Sequence, residues 1–185
     1  MNKKRQSQKK KKIIQLWMDL IAFCVLVVMD QVTKYFAVLH LKDQEPVSLI
    51  PDVFKLQYLE NRGAAFGMLQ NGKVFFVFAA IVMLTVIVFV LIKAPVSRKY
   101  RPWHVFLVMI AAGGIGNMID RLRLDYVIDF LYFSLIDFPI FNVADIFVSV
   151  GTVLFAVFIL FFCKEEDLNF ISLSIQKKNK VHEIK

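Results

Sequence analysis

The sequence predicts an all-α membrane protein of four transmembrane helices with a small extracytoplasmic β-hairpin or sheet. Three features carry that prediction: apolar runs of spanning length, a segregation of Lys and Arg along the chain, and strand-like alternation after the first run. Of 185 residues, 58% are hydrophobic and 19 are Phe, a composition too apolar for an ordinary soluble domain. Val74–Ile92 has no ionisable side chain, and at about 1.5 Å rise per residue it nearly crosses a ~30 Å hydrocarbon layer. Ile146–Cys163 is a second such run. Pro102–Ile119 is a third, with only His104 and Asn117 near its ends. Ile13–Met29 comes first in the chain, with Asp19 close to its inner edge. A soluble core helix rarely stays apolar for so long.

The net charge of +8 does not indicate a nucleic-acid partner, because of where the cations fall. Lys3, Lys4, Arg5 and Lys9 to Lys12 precede the first run. Lys93, Arg98, Lys99 and Arg101 link the second and third, and Lys164, Lys177, Lys178, Lys180 and Lys185 follow the fourth. Four crossings put all three clusters on one side, which the positive-inside rule makes cytoplasmic. The expected organisation is a basic cytoplasmic N-terminus at 1–12, a transmembrane domain at 13–163 with an outer hairpin segment at about 40–72, and a cytoplasmic tail at 164–185. A basic start before an apolar run also fits a secretory signal peptide. Here, however, no small-x-small site follows Met29, and the run ends in Asp30, Gln31 and Lys34, so it reads as a retained span. Contact of the basic N-terminus with anionic membrane lipids is expected from its charge.

Cys24 within span one and Cys163 at the inner end of span four are poorly placed for a disulfide. His40, His104 and His182 fall at different levels, which argues against a His-based metal site. No metal or other cofactor is expected. There is no phosphate-binding Gly loop and no internal repeat.

The outer segments, His40–Gly72 and Asp120–Phe141, hold the informative residues. Val47–Ile50 and Val53–Leu59 flank the turn pair Pro51-Asp52, and Phe54, Leu56 and Tyr58 alternate with Lys55 and Gln57, predicting a hairpin with one apolar face. Tyr126, Phe130, Tyr132, Phe133, Phe138 and Phe141 suit a membrane interface. Polar residues gather at the outer ends of the spans. Asp30 and Lys34 are spaced i, i+4, readable either as an interface ion pair or as part of a site. Asn117, Asp120 and Arg121 share a face where span three emerges, after Gly113, Gly114 and Gly116, whose smallness permits close helix approach. Asn142 and Asp145 share a face where span four begins, with Ser149 one turn deeper. Asp129 lies in the short link between spans three and four. Arg123 and Asp125 read as solvated loop charges.

Asp145 lies within an apolar stretch beginning at Ile140, where a carboxylate is expensive and points to function. Two carboxylates held close share one proton, since like charges a few Å apart cannot both ionise. The ionised member then takes a proton from water while the other donates to a scissile carbonyl oxygen. Asp129 and Asp145, both at the outer rim, are the candidates. A small transporter or ion-pathway subunit could use the same rim charges. Polar residues spread through the membrane thickness, or breaks within spans, would favour that alternative, whereas here they cluster at one rim. A non-catalytic assembly factor would be insensitive to loss of Asp129 or Asp145.

Five motifs occur in order: Asp30-Gln-Val-Thr-Lys34, Asn61-Arg-Gly-Ala-Ala-Phe66, Gly116-Asn-Met-Ile-Asp-Arg121, Val127-Ile-Asp129-Phe130 and Phe141-Asn-Val-Ala-Asp145. Together they closely resemble the lipoprotein signal peptidases, or signal peptidase II family, from about Leu20 to Phe162. The resemblance implies an aspartic endopeptidase of the bacterial cytoplasmic (inner) membrane. Such an enzyme cuts the signal peptide of a diacylglyceryl-modified prolipoprotein before the lipidated cysteine, at the outer surface. It implies Asp129 and Asp145 as the catalytic dyad. Asn61, Asn117, Arg121 and Asn142 would bind substrate or hold the dyad, and Asp30 and Lys34 would support the same rim. The Val47–Leu59 hairpin would match the family's substrate-cradling sheet. The partners are then lipid-modified prolipoproteins and membrane lipids, and the protein is expected to be a monomer. One departure stands out: Asp125 occupies the place, four residues before Asp129, where the family usually has Gly. Asp tolerates left-handed backbone, and it brings a third carboxylate towards the pair.

Overall fold

The computed structural model describes residues 3–63 and 72–170. Ala64 to Gly67, Lys177, Lys178, Lys180, His182 and Lys185 lie outside the described residues. The elements are α1 (Lys3–Leu41), β1 (Val47–Ile50), β2 (Phe54–Asn61), α2 (Lys73–Lys93), α3 (Arg101–Leu124), β3 (Val127–Tyr132) and α4 (Val143–Phe162). All four α-helices are long and apolar enough to cross a membrane, giving a four-helix membrane protein with a small antiparallel sheet.

At 39 residues, α1 is about 58 Å long and overruns a bilayer core at both ends. It extends well beyond the apolar run Ile13–Met29 because the flanking Lys, Gln and Arg favour helix, and the first Pro is Pro46. Helix α2 stops before Pro95, and its freed carbonyls at Leu91 and Ala94 accept hydrogen bonds from Lys12 Nζ at 2.6 and 2.5 Å. Helix α3 opens with Pro102 in its first turn. It closes on Asp125, whose φ of 68° is the left-handed conformation expected for that residue.

Helix α3 packs against each of the other three, most extensively α4. Gly113 makes that approach possible: a Cβ there would collide with the backbone oxygen of Ala144. Trp103, Leu107, Val108 and Ile110 of α3 meet Ile87, Val90 and Leu91 of α2 in the main core. The opposite helix faces stay apolar and uncovered, with Leu160 and Phe161 each 76% exposed. Side chains of that kind require lipid rather than water as solvent.

The sheet has order β1-β2-β3, all antiparallel. The hairpin lies where alternation placed it, although its second strand runs from Phe54 to Asn61 rather than from Val53 to Leu59. Asp129 requires a correction. It lies on β3, opposite Leu59 of β2, and not in a loop. Val127 to Phe130 are all buried, so no polar-apolar alternation marks this strand, and its partner is distant in sequence. Ile128 and Phe130 pack on Ala37 and Leu41, which anchors the sheet to the end of α1.

Candidate active site

The site begins with a lysine. Lys34, 1% exposed, uses its ammonium group on three acceptors: Asp30 Oδ2 at 2.9 Å, Asp120 Oδ2 at 2.8 Å and Asn117 Oδ1 at 2.8 Å. A buried charge is tolerated when paired and fully hydrogen-bonded. Asp30 is fully buried. Its Oδ1 accepts from Ala144 N at 2.9 Å, a free amide of the first turn of α4, where the helix dipole favours negative charge. Asp120 Oδ2 also accepts from Ile128 N at 3.2 Å, which pins β3 to α3. Gln31 closes this layer, donating to Asp30 Oδ2, Gly116 O and Asp120 Oδ1. Gly116 makes room here, since a Cβ would crowd Asp30 Oδ2.

Above that layer stand two asparagines whose amide orientations follow from their neighbours. An ammonium can only donate, so the Asn117 oxygen must face Lys34. Its Nδ2 is thereby turned to Asp145 Oδ1, at 2.8 Å. Asn142, completely buried, is the N-cap of α4 and forms a capping box with Asp145. Its Oδ1 accepts from Asp145 N at 3.0 Å, and its own N donates to Asp145 Oδ2 at 3.1 Å. Its Nδ2 donates to Asp129 Oδ1 at 2.6 Å and to Asn117 Oδ1 at 3.0 Å. Asn61 Nδ2 supplies the other Asp129 oxygen at 2.8 Å, with its Oδ1 engaged by Gly63 N. Every oxygen of the two carboxylates thus receives one hydrogen bond, and Asn142 touches both groups.

Asn61, Asn117, Arg121, Asp129 and Asp145 line one cavity of about 520 Å³, completed by apolar residues including Phe138, Phe141, Ile146 and Val150. Burial, reinforced by the Asp145 charge, pushes the Asp129 carboxyl up to about 7 against the opposing pull of Asn61 and Asn142. Arg121 touches neither carboxylate: its Nη2 donates to Gly63 O at 3.1 Å, and its guanidinium sits 4.3 Å from the Phe76 ring centre.

Of the residues predicted from sequence, five therefore line the cavity, Asn142 bridges behind it, and Asp30 with Lys34 forms its foundation. Asp125 is apart, exposed and paired with Lys73, and that ion pair lowers its pKa. Gln31 and Asp120 belong to the foundation but were not assigned to it. Gln31 lies inside the Asp30–Lys34 motif, which was the available signal. Asp120, read from sequence as sharing a face with Asn117 and Arg121, serves Lys34. Among the described residues, no group of His, Cys, Asp and Glu is arranged to hold a metal ion.

Fold and cavity together define a polytopic membrane protein with two carboxylates, one buried and one half-buried, opening on one end of its bundle. The profile of the family described as signal peptidase (SPase) II matches residues 22–161. The lipoprotein signal peptidase of Streptococcus thermophilus (strain CNRZ 1066) is 42% identical over 148 residues, covering 80% of this chain and 93% of that one. That of Caldanaerobacter subterraneus subsp. tengcongensis is 42% identical over 145 residues, covering 78% and 97%. Two solved structures described as bacterial membrane enzymes, obtained by the in meso method at 2.3 and 1.9 Å resolution, superpose with TM-scores of 0.70 and 0.69. They are 29% and 31% identical, cover 86% and 79% of this chain, and are each covered to 94%. The chain belongs to the signal peptidase II family.

Proposed function

We propose that this protein is an aspartic endopeptidase that cleaves the signal peptide of diacylglyceryl-modified prolipoproteins before the lipidated cysteine. Asn142 carries the reading: one side chain orients Asp129 while its backbone amide and its oxygen fix Asp145. That bridge couples two carboxylates from separate elements to one cavity, the arrangement needed for a shared proton. One carboxyl, Asp129 with its raised pKa, donates to the scissile carbonyl oxygen. Asp145 takes a proton from the attacking water, and the tetrahedral intermediate collapses as the leaving amine is protonated. Arg121 and the Asn61–Gly63 turn border the cavity and would hold the substrate backbone. The apolar wall running along α4 through Ile146 and Val150 suits a substrate embedded in lipid.

The Lys and Arg distribution supports cytoplasmic termini in the bacterial inner membrane, with the sheet and cavity outside. Residues 1–12 and 164–185 would flank a peptidase domain at 13–163, acting as a monomer. The test is incubation of purified protein with a diacylglyceryl-modified prolipoprotein and with its unmodified counterpart, followed by mass spectrometry of the products. The reading requires one cut, immediately before the modified cysteine, and little or none in the unmodified chain. A cut elsewhere, or equal cleavage of both, contradicts it.

A further inference from the structure

A second polar cluster lies at the far end of the bundle. His104 and Asp120 stand on the same helix, α3, about 24 Å apart by helix rise. His104 is 3% exposed, and its Nδ1 lies 2.6 Å from Asp19 Oδ2 of α1. Asp19 Oδ1 in turn accepts from Gln15 Nε2 at 2.9 Å. The carboxylate thus fixes the imidazole ring, much as an orienting acid does in a designed site. Yet His104 Nε2 is buried without a hydrogen-bond partner among the described residues. Buried polar atoms are nearly always satisfied, so this atom calls for an explanation.

Two adjoining cavities supply one. They share Gln15, Met18, Arg101 and His104. The first, of about 360 Å³, opens among Lys11, Arg98 and Arg101, all exposed. The second, of about 610 Å³, continues between α1 and α3 past Val25, Leu26, Val108 and Met109. Asp19 is the only carboxylate lining either cavity among the described residues, and it is already engaged by Gln15 and His104. A cationic mouth above an apolar slot complements an anionic headgroup joined to a hydrocarbon chain. The N-terminal, positive end of α3 adds to the field at that mouth.

We infer that this groove binds one anionic phospholipid, with its phosphate among Lys11, Arg98, Arg101 and His104 Nε2, and an acyl chain along Val25, Leu26, Val108 and Met109. The site is separate from the proposed peptidase centre and does not depend on that assignment. Native mass spectrometry of the full-length, detergent-purified protein tests it, using phosphatidylglycerol, phosphatidylcholine and inorganic phosphate as probes. The wild type binds one phosphatidylglycerol in preference to phosphatidylcholine, and inorganic phosphate does not displace it. His104→Leu weakens phosphatidylglycerol about tenfold, the scale of one hydrogen bond to a charged group. The pair Lys11→Gln with Arg101→Gln removes most of the preference over phosphatidylcholine, since each basic residue contributes about fivefold. Cleavage activity, measured in parallel, stays near the wild-type rate in both variants. Equal binding of the two lipids, displacement by phosphate, or unaltered phosphatidylglycerol binding by His104→Leu overturns the inference. If His104→Leu does not fold, the Lys11/Arg101 variant decides alone, and a retained preference overturns it.

Discussion

At Asp129 opposing influences meet, and those that hold its proton prevail. Burial and the Asp145 charge keep its proton on, while the amides of Asn61 and Asn142 favour its loss, and the balance falls at about 7. The folded protein therefore holds a proton that an unfolded chain releases near the ordinary carboxylate value of about 4. Stability from this group is present below about pH 4 and is lost as pH rises through about 7. Thermal unfolding followed between about pH 5 and about pH 8 should give a falling midpoint, and Asp129→Asn should flatten that fall. Asn142→Leu keeps the branched side-chain shape but removes the bridge. Turnover should drop about tenfold to a hundredfold, the scale of one or two hydrogen bonds to charged groups. Arg121→Lys should lose at least about tenfold, because an ammonium cannot both reach Gly63 O and cover the Phe76 ring as the extended guanidinium does. Initial rates on a lipidated prolipoprotein check both variants. At this scale the sequence was legible wherever partners are one helical turn apart, as for Asp30 with Lys34 and Asn142 with Asp145. It was silent on Asp120 with Lys34, since nothing local reveals a partner on another helix.

Among the elements, α1, α3 and α4 meet at a single layer in which Lys34 pairs with Asp30 and Asp120 out of water and Ala144 N bonds Asp30. Breaking such a cluster from one side leaves buried charges unpaired, at a cost of about 3–5 kcal/mol. Lys34→Met should accordingly reduce folded protein in the membrane and lower the unfolding temperature, beyond any effect on turnover. Gly116→Ala acts on the same layer by volume. Its added methyl group meets the Asp30 carboxylate, which Ala144 N holds in place, so a loss of about 1–3 kcal/mol is expected on the scale of overpacking. The helices were readable from apolar runs of spanning length, and the β1–β2 hairpin from alternation and turn residues. Strand β3 was not, because it is short, buried on both faces and paired with a strand from before α2.

Across the whole molecule, the two ends of the bundle differ in kind. One carries the sheet, the carboxylates and their cavity, and the other carries the basic segments and the Asp19–His104 pair. In the proposed topology, four crossings set these ends on opposite sides of a bilayer, and the Lys and Arg bias would make the basic end cytoplasmic. Cysteines introduced at Gln57 and Ser134 should react with an impermeant reagent in intact cells, while those at Lys10 and Lys178 should not. The reverse pattern would place the cavity on the cytoplasmic side and remove it from any exported substrate. In the proposed mechanism Asp129 and Asp145 act as one unit, and the most direct measurement is the cleavage rate of Asp129→Asn, Asp145→Asn and the double variant on one lipidated prolipoprotein. Each single change should remove the base or the proton donor and cost about 10²–10⁴-fold. The double variant should be scarcely slower than either single one, because residues that act together lose function together. Substantial cleavage by either single variant, or a double loss equal to the product of the two single losses, would contradict the shared-proton pair.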